Sequence, residues 1–274
     1  MEQVMRQEIR DFVLASPDNR FVDSDLPYFD EPLVGFAAAD DPLFKDFKTI
    51  IGEFHMTPGE VLNNAFGCGA DEARTVICWI LPITEATRKS NRQARSIPSR
   101  EWAMTRAHGE RFNTLLRIQL TNLIRSLGAK AVAPLLAGQW RPVKDPRVGM
   151  ASTWSERHAA YAAGLGTFSL NDGFITDKGI AHRCGSVITD LTIQPSKKNC
   201  ADPWSNCLYH RDGSCGLCIR RCPVDAISLQ GHDKKKCQAH VYGELRQTAG
   251  QLYGVMETGC GLCQTGVPCE SQVP

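Results

Sequence analysis

The sequence lacks the features that mark membrane, secreted and strongly basic proteins. No apolar run in its 274 residues approaches the roughly 20 residues of a membrane-spanning helix. The formal net charge is +1, so no overall basic field indicates a nucleic-acid partner. The first 16 residues carry five charged side chains and therefore do not resemble a secretory signal. We expect a protein of the reducing cytoplasm, with neither a membrane nor a nucleic acid as its partner.

Cysteine, in contrast, is abundant and unevenly placed. Nine of the twelve cysteines follow residue 199. Disulfides are rare in a reducing compartment, so this density indicates metal ligation rather than a disulfide framework. The eight cysteines between residues 207 and 269 match the number of ligands that two 4Fe–4S clusters need.

The densest run, residues 215–223, has the spacing C-x2-C-x3-C-P. This is the tail of the bacterial ferredoxin signature, in which close thiolates bind one cluster and the last cysteine binds a second. Asp212 occupies the position of the usual first cysteine. Cys207 is the favoured substitute, and Cys200 is the alternative.

Crossed ligation divides the eight cysteines into two sets. The first thiol set is Cys207, Cys215, Cys218 and Cys269. The second thiol set is Cys222, Cys237, Cys260 and Cys263. Zinc would account for the C-x2-C pairs, but not readily for the C-x3-C-P step or the isolated Cys237.

The first two thirds of the chain show helical and strand-like patterns in turn. Apolar residues at helical spacing predict helices over residues 2–15 and 115–127, the second ending at Gly128. The apolar run 76–81, closed by Pro82, predicts a buried central strand. These patterns indicate a domain of the α/β (α+β) class.

Three further stretches of this part carry predictions. Residues 131–133 predict the start of another strand, and the acidic, proline-containing residues 18–46 predict an irregular covering segment. The basic residues between 88 and 111 have two interpretations. They form either a solvated loop and helix start or a contact with phosphate or carboxylate groups of a cofactor.

Residues 155–173 are rich in alanine and then in glycine. Ser155 is a candidate cap for a short helix that Gly164 ends. Three glycines within ten residues allow the backbone to approach a flat or bulky group. Position 169 is serine, so the spacing is not that of a dinucleotide-binding loop, and we predict no NAD. Residues 175–191 alternate and turn at 177–179, which predicts a hairpin.

The residues 157–176, the segment 183–190 and the paired thiol pattern resemble epoxyqueuosine reductases and the core of corrinoid-dependent reductive dehalogenases. This resemblance implies a nitroreductase-like cobalamin-binding domain over residues 1–195. A bacterial ferredoxin-like domain with two 4Fe–4S clusters would then occupy residues 196–274. The cobalamin contacts that it implies are Gly164, Leu165, Gly166, Phe168, Asn171, Gly173, Gly185 and Ser186.

Two differences from epoxyqueuosine reductases bear on the substrate. Their proton-donating aspartate corresponds to Arg111 in the segment 109–113. Their longer members also carry a C-terminal helical-repeat domain that helps hold tRNA, whereas this sequence stops five residues after Cys269. We therefore expect a relative that acts on a small molecule.

The predicted function is a cobalamin-dependent iron–sulfur reductase that receives electrons from reduced ferredoxin or flavodoxin. Such a reduction needs an acid near the cofactor, and the candidates are Glu110, Tyr161 and His158. Each has a structural alternative: an ion pair for Glu110, packing for Tyr161 and a helix-surface position for His158. The alternative functions are a non-catalytic electron-transfer or corrinoid-binding protein, and a reductase with FMN on the same fold.

Overall fold

The computed structural model describes residues 1–67, 69–198 and 202–274. The alternative ligand Cys200 therefore lies outside the described residues, as does Cys68. None of the helices in the described ranges is both long and apolar enough to cross a membrane.

Helices and short strands alternate along the chain. In chain order they are α1 (Glu2–Ala15), β1 (Leu33–Ala38), α2 (Leu43–Ile51), α3 (Pro58–Phe66), β2 (Thr75–Pro82), α4 (Glu85–Gln93), α5 (Arg100–Ser126), β3 (Ala131–Val132), β4 (Pro142–Asp145), β5 (Gly149–Ser152), α6 (Glu156–Ala162), β6 (Gly166–Phe168), β7 (Phe174–Thr176), β8 (His182–Thr189), α7 (Leu208–Asp212), α8 (Leu217–Arg221), β9 (Ile227–Ser228), β10 (Gly231–His232), α9 (Lys234–Ala239) and α10 (Gln251–Tyr253). Two π-helical stretches, His240–Glu244 and Arg246–Gly250, lie between α9 and α10.

A four-stranded antiparallel sheet with the order β1-β2-β8-β3 forms the centre of the fold. All eight residues of β2 are buried, which confirms the predicted central strand. Successive side chains of β2 point to opposite faces. Ile77 and Trp79 belong to one core, and Val76 and Cys78 belong to the other.

Helices cover both faces of this sheet. α1 and the 27-residue α5 pack on the face of Trp79, while α2, α3 and α6 pack on the face of Cys78. The predicted helices at α1 and at the end of α5 are confirmed. Gly128 follows α5 with φ +83°, a conformation that favours glycine at the end of a helix.

The outer edge of β8 is only partly covered by a strand. β3 pairs with Ile188 and Thr189 alone. Nearer the start of β8, side chains of α5 bind the strand instead: Asn113 Nδ2 and Arg117 Nη2 donate to the Cys184 carbonyl at 2.9 and 3.0 Å. A buried arginine therefore lies where a further strand would otherwise pair.

The cysteine-rich part from residue 202 onward consists of short helices, turns and the small β9–β10 hairpin. It is bonded to the sheet domain at several points. Asn171 Nδ2 donates to the Cys263 carbonyl at 3.0 Å, and Ile180 N donates to the Cys269 carbonyl at 2.8 Å. The domain boundary at residues 195 and 196 stays a prediction.

Three local predictions were wrong. Residues 18–46 are not wholly irregular, because they contain the largely buried strand β1. The residues 175–191 do turn near Gly179, but β7 pairs with β6 and β8 pairs with β2, so they form no hairpin with each other. The basic stretch does contain the predicted helix start, at Arg100, but its first part belongs to α4 and the loop is limited to residues 94–99.

Candidate functional site

The first thiol set comes together from three separate stretches of the chain. Cys207 precedes α7, Cys215 precedes α8, Cys218 lies within α8 and Cys269 comes from the C-terminal turns. The Cys269 thiol interacts electrostatically with those of Cys207, Cys218 and Cys215. These are the four residues that the spacing assigns to one cluster.

The second thiol set is likewise assembled. Cys222 follows α8, Cys237 lies in α9, and Cys260 and Cys263 lie in the turns after α10. The Cys263 thiol interacts electrostatically with those of Cys260, Cys237 and Cys222, and also with that of Cys218 from the first thiol set. The backbone N–H of Ala226 donates to Cys222 Sγ at 3.2 Å.

Burial and neighbouring thiols make Cys218, Cys260, Cys263 and Cys269 poor thiolates on their own. They raise the pKa of Cys218 and Cys260 to about 11 and that of Cys269 to about 12. All ten cysteines of the described ranges are free of disulfides. Metal cations bound among the thiols would offset the effects of burial and of the neighbouring thiols on the pKa. The crowding of the thiols therefore fits iron–sulfur ligation.

The thiol sets are not arranged around a single small ion. Across residues 1–67, 69–198 and 202–274, no three Cys, His, Asp or Glu side chains converge closely enough to hold one metal ion. A 4Fe–4S cluster is larger than an ion and takes one ligand at each iron. The preference for a cluster over zinc therefore rests on the C-x3-C-P step and the isolated Cys237 of the sequence.

A chain of alternating charges runs along the open edge of β8. Glu110 accepts from Arg117 Nη1 at 2.9 Å and from Arg183 Nε at 2.8 Å. Burial would raise the pKa of Glu110, but the two guanidinium groups outweigh it and lower that pKa to about 2. Glu110 is thus a carboxylate at neutral pH and has no proton to donate.

Glu156 lies at the buried end of this chain. Its Oε1 is 3.5 Å from Arg117 Nη2, and its Oε2 accepts from the Ser186 hydroxyl. Burial raises the pKa of Glu156, and Arg117 only partly opposes this shift. Sequence reasoning missed Glu156, because an acid in the first turn of a helix is ordinary.

Beside this edge lies a partly exposed surface that we call the aromatic face. Its members are His158, Tyr161, Phe168, His182 and Cys184, each only partly buried. The Phe168 ring lies 4.7 Å from His158 and 5.9 Å from Tyr161, between ring centroids. Such a surface can hold one side of a flat, largely apolar ring system.

The two histidines of this face are neutral at neutral pH. Burial lowers the pKa of His158 to about 3, and its Nδ1 lies 2.8 Å from the Ser155 hydroxyl. Burial also lowers the pKa of His182 to about 4. Of the three predicted acids, His158 and Glu110 therefore lack an acidic proton at neutral pH.

Several of the predicted cobalamin contacts face protein atoms instead of open space. A Cβ at Gly185 would lie 2.4 Å from the Trp79 ring, and one at Gly166 would lie 2.3 Å from the Ile175 carbonyl oxygen. Gly173 is similarly close to Ile180. These glycines allow strands and side chains to approach one another.

The remaining predicted contacts are divided between the interior and the surface. Ser186 is fully buried, where its hydroxyl accepts from Trp154 Nε1 at 3.0 Å. Asn171 is 7% exposed and binds the turn of Cys263. Gly164 faces the backbone at Lys197, Leu165 is partly buried, and Phe168 lies on the aromatic face.

This fold is shared with epoxyqueuosine reductases and reductive dehalogenases. A catabolic reductive dehalogenase structure aligns with a TM-score of 0.55 at 14% identity, over 99% of this chain and 36% of that one. An epoxyqueuosine reductase in complex with a tRNA stem loop aligns at 0.53 and 17% identity, over 98% and 65%.

In sequence, the chain is similar to an epoxyqueuosine reductase from Leadbetterella byssophila. The two are 32% identical over 120 residues, which are 41% of this chain and 36% of the relative. No family model matches the chain. The predicted resemblance to epoxyqueuosine reductases and reductive dehalogenases is therefore confirmed.

The chain spans about a third of the curated relative and about two thirds of the epoxyqueuosine reductase structure. Their activities are consequently proposals for this protein. The expectation that nucleic acid is not a partner finds no support in the comparisons, since one structural relative holds a tRNA stem loop.

We predict that one variant of the charge chain has a stability cost independent of pH and that the other has one that changes with pH. Glu110→Gln leaves two guanidinium groups without their shared carboxylate and should cost roughly 3 kcal/mol of unfolding free energy at both pH 5 and pH 8. The raised pKa of Glu156 makes wild-type stability fall as pH rises above the unfolded value near 4.5. The unfolding free energy of Glu156→Gln, relative to that of the wild type, should therefore be higher at pH 8 than at pH 5.

Urea unfolding of the wild type and both variants at the two pH values measures these differences. If the difference in unfolding free energy between Glu156→Gln and the wild type is the same at both pH values, Glu156 is ionised in the folded protein at both.

Proposed function

We propose that this protein is an oxidoreductase of the corrinoid-dependent iron–sulfur class, acting on a small molecule. The observation that carries the proposal is the grouping of eight thiols into two sets that meet at α8. Cys218 lies within this helix and belongs to the first thiol set, while Cys222 follows it and belongs to the second. Five-residue α8 is thus a direct covalent bridge between the two predicted cluster sites.

The described residues fit the two kinds of cofactor, the iron–sulfur clusters and the corrinoid, to different degrees. The thiol sets provide four sulfur ligands for each of two clusters, and the aromatic face offers a surface for a planar ring. When bound, the clusters supply single electrons and the corrinoid supplies a strongly reducing cobalt centre. We place the ring at the aromatic face, because Gly185 and Ser186 are enclosed by protein.

The protein's own residues then have distinct roles. We propose Tyr161 as the proton donor, because its phenol belongs to the aromatic face and the other two predicted acids have no acidic proton at neutral pH. Glu110 acts as an anion that fixes the guanidinium group of Arg183 at the edge of the face. The phenol is positioned by α6, whose other side packs on the sheet.

A small molecule is the substrate that we favour. Arg111, at the position of the family's aspartate, points to a different part of the molecule, where it lines a cavity with residues 17–28. Its Nη1 lies 3.5 Å from His108 Nδ1. The proton therefore comes from elsewhere than in epoxyqueuosine reductases.

We further propose a cytoplasmic setting and reduced ferredoxin or flavodoxin as the donor of electrons.

Crossed ligation predicts which pairs of substitutions remove one cluster and which remove two. Cys215→Ser with Cys218→Ser alters only the first thiol set, so about four irons per chain should remain. Cys215→Ser with Cys222→Ser alters both sets and should leave nearly none. Iron and sulfide analysis of anaerobically purified protein measures the difference. About four irons in the second variant would show that ligation is sequential.

Cobalamin binding tests the proposed ring site. Titration of cob(II)alamin with the anaerobic protein should shift its absorption and electron paramagnetic resonance spectra. Phe168→Ala removes a ring of the aromatic face and should weaken binding about tenfold. Phe66→Ala, which truncates an exposed ring on α3, is the control and should bind as the wild type does.

Unchanged cobalamin spectra at saturating protein would overturn the corrinoid proposal. A flavin absorption band in protein from a cofactor-replete host would instead favour FMN on the same fold. Clusters without either cofactor would favour a non-catalytic electron carrier.

A further inference from the structure

Four basic side chains, carried by α4, the turn after it and α8, have no role in the function proposed above. Lys89 is exposed on α4, Arg95 follows that helix, and Arg220 and Arg221 are the last two residues of α8. We call these four residues the α8 basic surface.

Arg221 fixes the geometry of this surface. Its Nη1 donates to the Ala94 carbonyl and its Nη2 to the Asn91 carbonyl, both at 3.0 Å. These carbonyls lie at the C-terminal end of α4, where a cation is favourable. The contact brings Arg95 close enough to Arg221 for their charges to repel.

The α8 basic surface has no matching acids of its own. Within the described ranges, none of its four cations forms an ion pair with a carboxylate. The nearby acids are already engaged: Glu85 and Glu270 bind Arg88 and Arg92 of α4. Crowded like charges cost free energy, which an anionic partner would recover.

The α8 basic surface lies next to both predicted cluster sites, where electrons would enter the protein. Arg220 is two residues from both Cys218 and Cys222, which belong to different thiol sets. A macromolecule bound over α8 would therefore lie next to the bridge between the two predicted clusters. Short distance is what transfer of an electron between proteins requires.

We propose that the α8 basic surface docks an acidic one-electron carrier protein. This inference rests on the proposed function, because it gives the thiol sets their electrons. At each encounter one electron would pass from the reduced carrier, which is oxidised, to an iron–sulfur cluster that the thiols would hold, and no atom would be transferred. Opposite charge steers such encounters and makes them sensitive to salt.

A single-stranded nucleic acid fits this surface less well. Such ligands stack their bases on aromatic side chains. The segments 85–101 and 214–223, which contain the whole basic surface, include no aromatic residue. Within these two segments a base has no ring on which to stack; Tyr253 lies beside them, with its hydroxyl donating to the Pro98 carbonyl at 3.1 Å.

A triple charge reversal tests the proposal with an acidic 2Fe–2S ferredoxin as the probe. Lys89→Glu, Arg95→Glu and Arg220→Glu together should weaken ferredoxin binding at least about tenfold, measured calorimetrically on the iron-loaded protein at low salt. The rate of reduction by reduced ferredoxin should fall by a similar factor in stopped-flow measurements. Added salt should weaken the wild-type complex but have little effect on the variant.

The matched control reverses three exposed cations elsewhere: Lys45→Glu, Arg141→Glu and Lys144→Glu. It has the same net charge and should keep wild-type affinity. Photoreduced deazaflavin, which needs no docking surface, should reduce every variant equally.

Equal loss of ferredoxin binding in both triple variants would overturn the docking surface, as would no loss in either. Displacement of ferredoxin by a tRNA stem loop, dependent on these three cations, would assign the surface to nucleic acid and also overturn it. Failure of deazaflavin to reduce the wild type would instead contradict the iron–sulfur function itself.

Discussion

Eight thiols held in two crowded groups are the constraint on which the account depends. Burial and mutual repulsion raise the pKa of several of them far above the ordinary range, so the protein alone does not favour their ionised form. Iron would supply the missing positive charge. The folding of residues 202–274, which have little regular structure, is consequently expected to depend on metal.

In the sheet domain, buried charges are balanced by ion pairs between side chains at the edge of β8. Because β3 is short, part of the β8 edge is open, and Arg117 closes it between Glu110 on α5 and Glu156 on α6. The same network holds Arg183 at the margin of the aromatic face. The ion pairs that cover the unpaired edge of β8 thus also fix part of the surface where we place the cofactor.

Sequence reasoning worked where the signal was local. The continuous apolar run 76–81 identified β2, and the close spacing of the cysteines predicted that their thiols would interact, as those of Cys269 and Cys263 do with their neighbours. Their division into two cluster sets stays a prediction. β1 was missed because its six residues stand among acids and prolines. The Glu110–Arg117–Glu156 network was not predictable, since it joins two helices across a sheet edge that only the fold creates. The glycines near residue 166 indicated close approach, and at Gly166, Gly173 and Gly185 the approaching atoms belong to the protein itself.

The most direct test of the central claim is metal analysis of anaerobically purified protein, expressed with cobalamin supplied, together with its electron paramagnetic resonance spectrum after reduction. The account predicts about eight irons and about eight sulfides per chain, about one cobalt, and signals of two interacting reduced 4Fe–4S clusters. About two zinc ions per chain, with neither iron nor sulfide, would contradict it.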